Sequence, residues 1–235
     1  MEVENFMFDW DETLGQTQQV FNDCHQEAQR LIADHLELDP AEVEQKFRNF
    51  WREAYGAYHV NPHGLIGLTC QKLTETYGLN KKLAQDVEIA LWRTYIQPIA
   101  LYPDAVTTLD NFRKQGIKMG VVTNAFEKWD RKKRHWTRFD QYMVYHQSVV
   151  VPPNEAKDEY WWTKAAHYYG FRKDRTAVVG DSWESDVEPA IGAEFAKIYH
   201  VVRQVGHWFV KDGEDHPQVV TINSLLEMQE LRPEG

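Results

Sequence analysis

The sequence of 235 residues is poor in cysteine and in positive charge, and it has no long apolar run. Its two cysteines, Cys24 and Cys70, form no CxxC pair, which argues against a disulfide framework or a zinc site of the usual spacing. This favours a reducing, cytoplasmic setting. No window reaches the roughly 18 apolar residues of a membrane span, and the acidic N-terminus lacks the features of a signal peptide.

The chain carries 26 Lys and Arg against 36 Asp and Glu, a formal net charge of −10. Binding to a nucleic-acid backbone requires clustered Lys and Arg, so that partner is not expected. A small phosphorylated substrate remains compatible, because a divalent metal ion and one or two cations can attract it locally. The composition is 43% hydrophobic and 13% aromatic, which predicts a sizeable core and offers rings that can line a pocket. Nothing here indicates the oligomeric state.

Hydrophobic periodicity divides the chain into two patterns. Residues 3–8 predict a short strand that ends at Asp9, and residues 16–98 contain helical patterns only. Within the helical part, residues 59–64 (HVNPHG) predict a loop that holds His59 and His63. Beyond it, helices alternate with strands, and the predicted strands are 117–122, 141–146, 176–180, 194–201 and 217–222.

Strands that alternate with helices are typical of a parallel, doubly wound (Rossmann-like) α/β sheet. The all-helical segment after the first strand is then an insertion. We therefore expect an α/β core domain of residues 1–15 and 99–235, and an inserted helical cap domain of residues 16–98.

In open α/β sheets, ligands bind beyond the carboxyl ends of the strands. Three predicted strands end there in polar residues, and a lysine precedes the helix before the third strand. These candidate site residues are Asp9 with Asp11, Thr123 with Asn124, Asp181 with Asp186, and Lys157.

Phosphoryl transfer to a side chain needs a carboxylate nucleophile, an acid/base group and cations around the phosphate. Asp9 is the candidate nucleophile and Asp11 the acid/base group, because two residues apart they share one side of an extended chain. Oxygen ligands from Asp9, the Asp11 carbonyl and Asp181 suit Mg²⁺. The phosphate contacts would come from Thr123, Lys157 and backbone N–H groups near Asn124.

These segments resemble the four motifs of the haloacid dehalogenase-like (HAD) superfamily, and the resemblance covers essentially the whole chain. The matching segments are FDWDETL (8–14, hhhDxDxT), VVTNA (121–125), Lys157, and VVGDSWESDVEPA (178–190, GDxxxxD). The helical insertion between the first two motifs resembles the C1-type cap of subfamily I.

The resemblance implies a Mg²⁺-dependent phosphomonoester hydrolase that forms an aspartyl-phosphate on Asp9. It implies that Asp11 is the general acid/base, that Asp181 binds the metal, and that Asp186 orients the metal's waters or Lys157. Asp11 favours phosphate chemistry, because haloacid dehalogenases lack this second aspartate. A phosphomutase with the same fold and a non-enzymatic binding protein remain as alternatives.

Several residues have a structural interpretation beside the functional one. Asp186 is also suited to a helix surface, Lys164 is the alternative to Lys157 as motif lysine, and Glu12 fits a solvated or capping acid. The basic run 128–138 predicts a solvated helix face, and the pair at 161–162 (Trp-Trp) predicts packing.

Overall fold

The computed structural model describes residues 3–143, 148–203 and 216–230. Six strands form one sheet, in which every neighbouring pair is parallel and the order is β3-β2-β1-β4-β5-β6. The strands are β1 (Asn5–Phe8), β2 (Lys118–Asn124), β3 (Val149–Val151), β4 (Thr176–Gly180), β5 (Lys197–Val201) and β6 (Val219–Ile222). This order is that of a doubly wound sheet, which confirms the predicted fold class.

The central strand β1 is buried on both faces, as expected of a parallel strand covered by helices. Its alternate residues enter different layers: Phe6 and Phe8 join one hydrophobic core, and Met7 joins the other. The described helices that follow residue 100 are α5 (Pro103–Lys114), α6 (Glu127–Thr137), α7 (Glu159–Tyr169), α8 (Glu188–Gly192) and α9 (Glu227–Glu230). Side chains of α5 and α9 pack on the first face, and those of α7 and α8 on the second.

Four further helices precede α5 in the chain between β1 and β2, and we call them the helical block. They are α1 (Thr17–Leu36), α2 (Pro40–Tyr58), α3 (Pro62–Tyr77) and α4 (Lys81–Trp92), followed by a 3₁₀ turn at Arg93–Tyr95. Three of them begin at a side-chain cap, where Asp39, Asn61 and Asn80 each accept a hydrogen bond from a backbone N–H. The block builds a third hydrophobic core, distinct from the two that cover the sheet, which also includes Ala125 and Trp129 from the chain after β2. None of the helices within the described ranges is long and apolar enough to cross a lipid bilayer.

The predicted loop 59–64 is wrong in its second half. Asn61 is the N-cap of α3 and Pro62 its first residue, so the Asn-Pro pair opens a helix here. His63 therefore lies in the first turn of α3, with its ring centroid 4.9 Å from that of Trp92.

The predicted strand 141–146 is also wrong where the structure describes it. Phe139–Gln141 forms a 3₁₀ turn, and the two apolar residues after it, Tyr142 and Met143, pack into the core from irregular backbone. Residues 144–147 lie outside the described part of the chain. The strand itself comes later, at Val149–Val151, where three β-branched residues pair with the end of β2.

Tyr169 at the end of α7 links β3 to β2 through hydrogen bonds of its hydroxyl. Its hydroxyl donates to the Val121 carbonyl at 2.8 Å and accepts from the N–H groups of Val121 and Val149 at 3.1 and 3.2 Å. The ring lies against Gly120, where an added Cβ would be 2.4 Å from a ring carbon. Glycine at this position lets the tyrosine reach both strands.

Candidate functional site

The site begins at the point where the strand order of the sheet reverses. The chain passes from β1 to β2 on one side of the sheet, and β4 lies on the other side of β1. Asp9 follows β1 and Asp181 follows β4, and the Asp9 N–H donates to the Val179 carbonyl at 2.8 Å. The two carboxylates therefore lie at the switch point, where open α/β sheets bind their ligands.

Lys157 joins two of the carboxylates. Its ammonium forms ion pairs with Asp9 and with Asp186, the latter at 2.6 Å, and all three side chains are buried. The ammonium also lies 5.4 Å from the ring centroid of Trp162, a fully buried residue of α7. Lys164, the alternative motif lysine, lies instead over the ring of Trp161 at 4.0 Å. Of the two lysines, the structure brings Lys157 to the candidate nucleophile.

Asp186 is fully buried, so its interpretation as a helix-surface acid does not hold. It lies in a π-helical turn, Trp183–Val187, and one of its oxygens accepts from the Ser182 N–H at 3.0 Å. Gly180 makes this placement possible, because a Cβ there would lie 2.4 Å from the Asp186 side chain.

Burial and crowding shift the protonation equilibria of the site. Burial raises the pKa of Asp9 to about 7; the charges of Asp186 and Asp11 add to this effect, while Lys157 opposes it. The pKa of Asp181 is raised well above its usual range by burial and by Asp9 and Asp186. Burial alone would lower the pKa of Lys157, but Asp186 and Asp9 outweigh it, and the net shift is upward. A bound cation would relieve this repulsion between carboxylates.

The donor set fits a hard divalent cation. One carboxylate oxygen from each of Asp9, Asp181 and Asp186 can be chosen so that all three lie within 4.8 Å of one another. Only oxygen atoms are offered, and oxygen ligands are those that Mg²⁺ and Ca²⁺ prefer. Asp181 is further placed by Thr13, whose hydroxyl donates to it at 3.4 Å, and its carbonyl lies 3.1 Å from the His200 imidazole. Asp186 is thus a member of the acidic cluster and also forms an ion pair with Lys157.

Asp11 lies beside this cluster and is held by a second lysine. Both of its oxygens accept from the Lys133 ammonium, at 2.8 and 2.9 Å. Lys133 is fully buried, and its ammonium lies 4.2 Å from the ring centroid of Trp129 and 5.5 Å from that of Trp10. The prediction of a solvated helix face for residues 128–138 is therefore wrong at this lysine. A signal was present, because Lys133 follows Trp129 by four residues and shares its side of the helix.

Thr123 and Asn124 end β2 beside Asp9, but their side chains face different environments. Thr123 is fully buried, and its hydroxyl has no hydrogen-bond partner within the described part of the chain. This unpartnered hydroxyl can donate a hydrogen bond to an anion, although Thr123 itself is not among the residues that line the cavity between the helical block and the sheet. The Asn124 amide donates to the carbonyls of Pro152 and Glu155, at 3.3 and 2.8 Å. This side chain fastens the loop that carries Lys157, so a phosphate contact from Asn124 would have to come from its backbone.

Of the two structural interpretations of Glu12, solvated acid or capping acid, the structure supports the second. Glu12 is buried, with φ of 58°, and its carboxylate accepts from Thr17 at 3.1 Å and from the Tyr102 hydroxyl at 2.6 Å. A left-handed residue costs on the order of 1–2 kcal/mol, which these buried hydrogen bonds offset. Glu12 also accepts from the N–H of Gln18 in α1, so it ties together the two chain segments that connect the helical block to the sheet.

A cavity of about 590 Å³ lies between the helical block and the carboxyl ends of the strands. Asp9, Asp11, Asp181, Asp186 and Lys157 line its inner end. Its remaining wall is rich in rings, which are Phe21, His25, Trp51, Tyr55, His59, Tyr95 and Trp129. The arrangement can place a phosphate at the carboxylates and the rest of a ligand among the rings.

Comparison with known proteins supports this arrangement. Residues 3–194 match the family model of haloacid dehalogenase-like hydrolases. The chain is 26% identical over 197 residues to a glyceraldehyde 3-phosphate phosphatase from Methanopyrus kandleri, covering 80% of this chain and 79% of that protein. A protein of the same name from Methanocaldococcus jannaschii is 23% identical over 237 residues, covering 97% and 96%.

Among solved structures, a haloacid dehalogenase-like family hydrolase from Xanthomonas campestris superimposes with a TM-score of 0.75. It is 14% identical, and the match covers 94% of this chain and 87% of that one, so it supports the fold alone. The family model, by contrast, covers most of the chain and includes all the carboxylates assembled at the switch point. The chain therefore belongs to the haloacid dehalogenase-like hydrolases.

Proposed function

We propose that this hydrolase is a Mg²⁺-dependent phosphatase that acts on small phosphorylated metabolites through an aspartyl-phosphate on Asp9. The observation that carries the proposal is the pair of carboxylates after β1, with Asp9 buried against Lys157 and Asp11 beside it at the cavity. A nucleophile alone would also suit a dehalogenase. The second carboxylate supplies the proton that an alkoxide leaving group needs.

In the first step an Asp9 oxygen attacks phosphorus, the ester P–O bond breaks, and protonated Asp11 gives its proton to the leaving alkoxide. In the second step Asp11 takes a proton from water, the water oxygen attacks phosphorus, and the bond to Asp9 breaks. Lys157 and the Thr123 hydroxyl bind the phosphoryl oxygens in both steps. Asp9, the Asp11 carbonyl and Asp181, near Asp186, would hold Mg²⁺, which when bound would supply positive charge to neutralise these oxygens.

We further propose that the helical block is a cap domain, residues 16–98, on a core domain of residues 1–15 and 99–235. The cavity between them supports this division, and movement of the cap would exclude bulk water during the reaction. Gly15 forms an isolated bridge with Leu101, so the two connecting segments run side by side and can act as one hinge. A cytoplasmic setting remains a prediction from the scarcity of cysteine.

Removal of the metal tests the proposed function. We expect EDTA to reduce phosphate release from p-nitrophenyl phosphate by roughly 100-fold or more, because the crowded carboxylates then face the phosphate uncompensated. Mg²⁺ in excess of EDTA should restore the activity. The substrate panel should include glyceraldehyde 3-phosphate, named for two relatives, and several sugar phosphates. Full activity in EDTA after exhaustive dialysis would contradict the proposal.

The same panel separates the proposal from its alternatives. A phosphomutase would convert a sugar phosphate into its isomer with little net release of phosphate, whereas a phosphatase releases one phosphate for each molecule consumed. A binding protein would produce neither the isomer nor free phosphate. The buried contacts of Lys157 and Lys133 with carboxylates argue for a catalytic role, since a binding protein gains little from two charged pairs at one cavity.

Lys133 is expected to position Asp11, and a Lys133→Met variant tests this. The change keeps most of the length of the stem and removes the charge that holds both Asp11 oxygens. We expect kcat to fall by about 10- to 100-fold with little change in KM, because misplaced general acid/base groups lose much of their contribution. Lys128→Met on the exposed face of the same helix is the matched control and should leave kcat unchanged. If kcat is unaffected in Lys133→Met, the lysine has no positioning role.

A further inference from the structure

We infer that this enzyme selects phosphomonoesters whose alcohol part is uncharged and offers an apolar or aromatic face, and that it discriminates against substrates with a carboxylate or a second phosphate. The inference rests on the proposed function. It concerns the part of the cavity that the phosphate does not occupy.

The size of the cavity is the first observation. At about 590 Å³ it falls within the range of roughly 300–1,000 Å³ that is typical of sites for larger organic ligands. A phosphate bound at Lys157 would fill only its inner end. The outer part therefore contacts the alcohol, and its chemistry decides which alcohols bind.

The outer wall is a continuous set of packed rings. Phe21 and Tyr95 each lie with their ring centroids close to that of Trp129, at 5.8 and 5.0 Å. Elsewhere in the helical block, the ring centroids of Trp51 and His25 are 4.3 Å apart. Rings packed in this way present a fixed apolar surface, which favours a flat or apolar ligand.

His25 does not add a positive charge to this wall. The side chain is fully buried in the helical block among Phe21, Phe47 and Trp51. Burial lowers the pKa of this imidazole to about 3, so it is neutral at physiological pH. It therefore behaves as part of the aromatic surface and cannot compensate an anionic alcohol.

The charges of the residues that line the cavity are the third observation, after its size and its aromatic wall. Within the described ranges, Lys157 is the one lysine or arginine that lines it, and the phosphate would engage that charge. Beyond the aspartates that surround Lys157, the acidic residues that line the cavity include Glu155, Asp158 and Glu184. A carboxylate on the alcohol would meet these acids without a cation to compensate it, and such like-charge contacts are strongly unfavourable.

Three aryl phosphates that differ at one substituent test the inference directly. Phenyl phosphate and 4-(hydroxymethyl)phenyl phosphate are neutral in their alcohol part, and 4-carboxyphenyl phosphate adds a charge at similar size. We expect the first two, compared at pH 8, to react with similar kcat/KM. The carboxylated ester should be slower by about 100-fold. Ethylene glycol monophosphate against phosphoglycolate gives the same comparison without a ring.

A charge placed in the wall should reverse the preference. Tyr55 lines the cavity and is 36% exposed, so a lysine can replace it without entering a sealed core. We expect Tyr55→Lys to raise kcat/KM for 4-carboxyphenyl phosphate by about 10-fold relative to phenyl phosphate. Tyr58→Lys, on the same helix but outside the cavity lining, is the matched control and should leave this ratio unchanged.

Equal kcat/KM for the neutral and the carboxylated esters would overturn the inference while the proposed function stands. An unchanged ratio in Tyr55→Lys would also count against it. Release of no phosphate from any ester of the panel, p-nitrophenyl phosphate included, would overturn the proposed function and this inference with it.

Discussion

Replacing Asp9 with asparagine is expected to reduce phosphate release from p-nitrophenyl phosphate by on the order of 10⁴-fold or more, the scale seen when a nucleophile is removed. The amide oxygen is a weak nucleophile, and the next carboxylate after β1, that of Asp11, is held by Lys133. Asparagine has nearly the same shape, so the site should keep its geometry. The measurement is steady-state release of p-nitrophenolate and phosphate with Mg²⁺ present.

The stability of this variant separates lost chemistry from lost structure. Asp9 is buried in a crowded acidic cluster, and the upward shift of its pKa shows that burial and its acidic neighbours disfavour its charge. Lys157 keeps its ion pair with Asp186 when Asp9 is neutral. We therefore expect a thermal midpoint close to that of the wild type. Asp34→Asn, an exposed aspartate of α1, is the matched control and should retain full activity. Comparable activity in Asp9→Asn and the wild type would refute the proposed mechanism.

The sequence predicts most of the sheet and the location of the site because both follow from simple regularities. Short apolar runs between helical patterns mark β1, β2 and β4, and in a parallel sheet their carboxyl ends meet at one edge. Asp9, Thr123 and Asp181 can therefore be assigned to one place from the order of the strands alone. The motif lysine had two candidates, and its assignment to Lys157 agrees with the observed ion pairs.

The errors arise where a local pattern has two physical solutions. The adjacent apolar residues Tyr142 and Met143 suit a strand as well as irregular backbone that follows a turn, and in the structure they enter the core from irregular backbone. The Asn-Pro pair at 61–62 is typical of loops and also of helix starts. Here it starts a helix, because the Asn61 side chain accepts a hydrogen bond from the backbone at the beginning of α3. Neither choice can be made from residues within one turn of the chain.

The partner of Lys133 is something that the local sequence does not contain, even though the spacing from Trp129 hints at burial. Its neighbours are mostly charged, so its stretch has the composition of a solvated helix. Its partner, Asp11, is 122 residues away, and only the packing of α6 against the end of β1 brings the two together. Burial of a lysine is favourable only when its charge is matched, which the carboxylate and the faces of two tryptophans provide.

Replacing Asp11 with asparagine is expected to have the second largest effect, and its size should depend on the leaving group. With an alkyl phosphate, the first step needs a proton from Asp11, and we expect kcat/KM to fall by about 10²- to 10⁴-fold. p-Nitrophenolate leaves without protonation, so formation of the aspartyl-phosphate from p-nitrophenyl phosphate should remain fast. Its hydrolysis still needs a base, and that step should become slow.

The Asp11→Asn variant should therefore release a burst of p-nitrophenolate close to one equivalent of enzyme, followed by slow turnover. Rapid-mixing absorbance measures the burst, and the mass of the denatured protein detects the phosphate retained on Asp9. Lys133→Met makes a useful comparison, because it retains the Asp11 carboxyl but removes the charge that positions it, and it should show a weaker form of the same pattern. Slow turnover without a burst and without phosphate retained on Asp9 would instead show that Asp11 is needed for formation of the intermediate. If kcat/KM falls equally for alkyl and nitrophenyl esters, Asp11 does not protonate the leaving group. The presence of Asp11, which separates this chain from a dehalogenase, would then need another explanation.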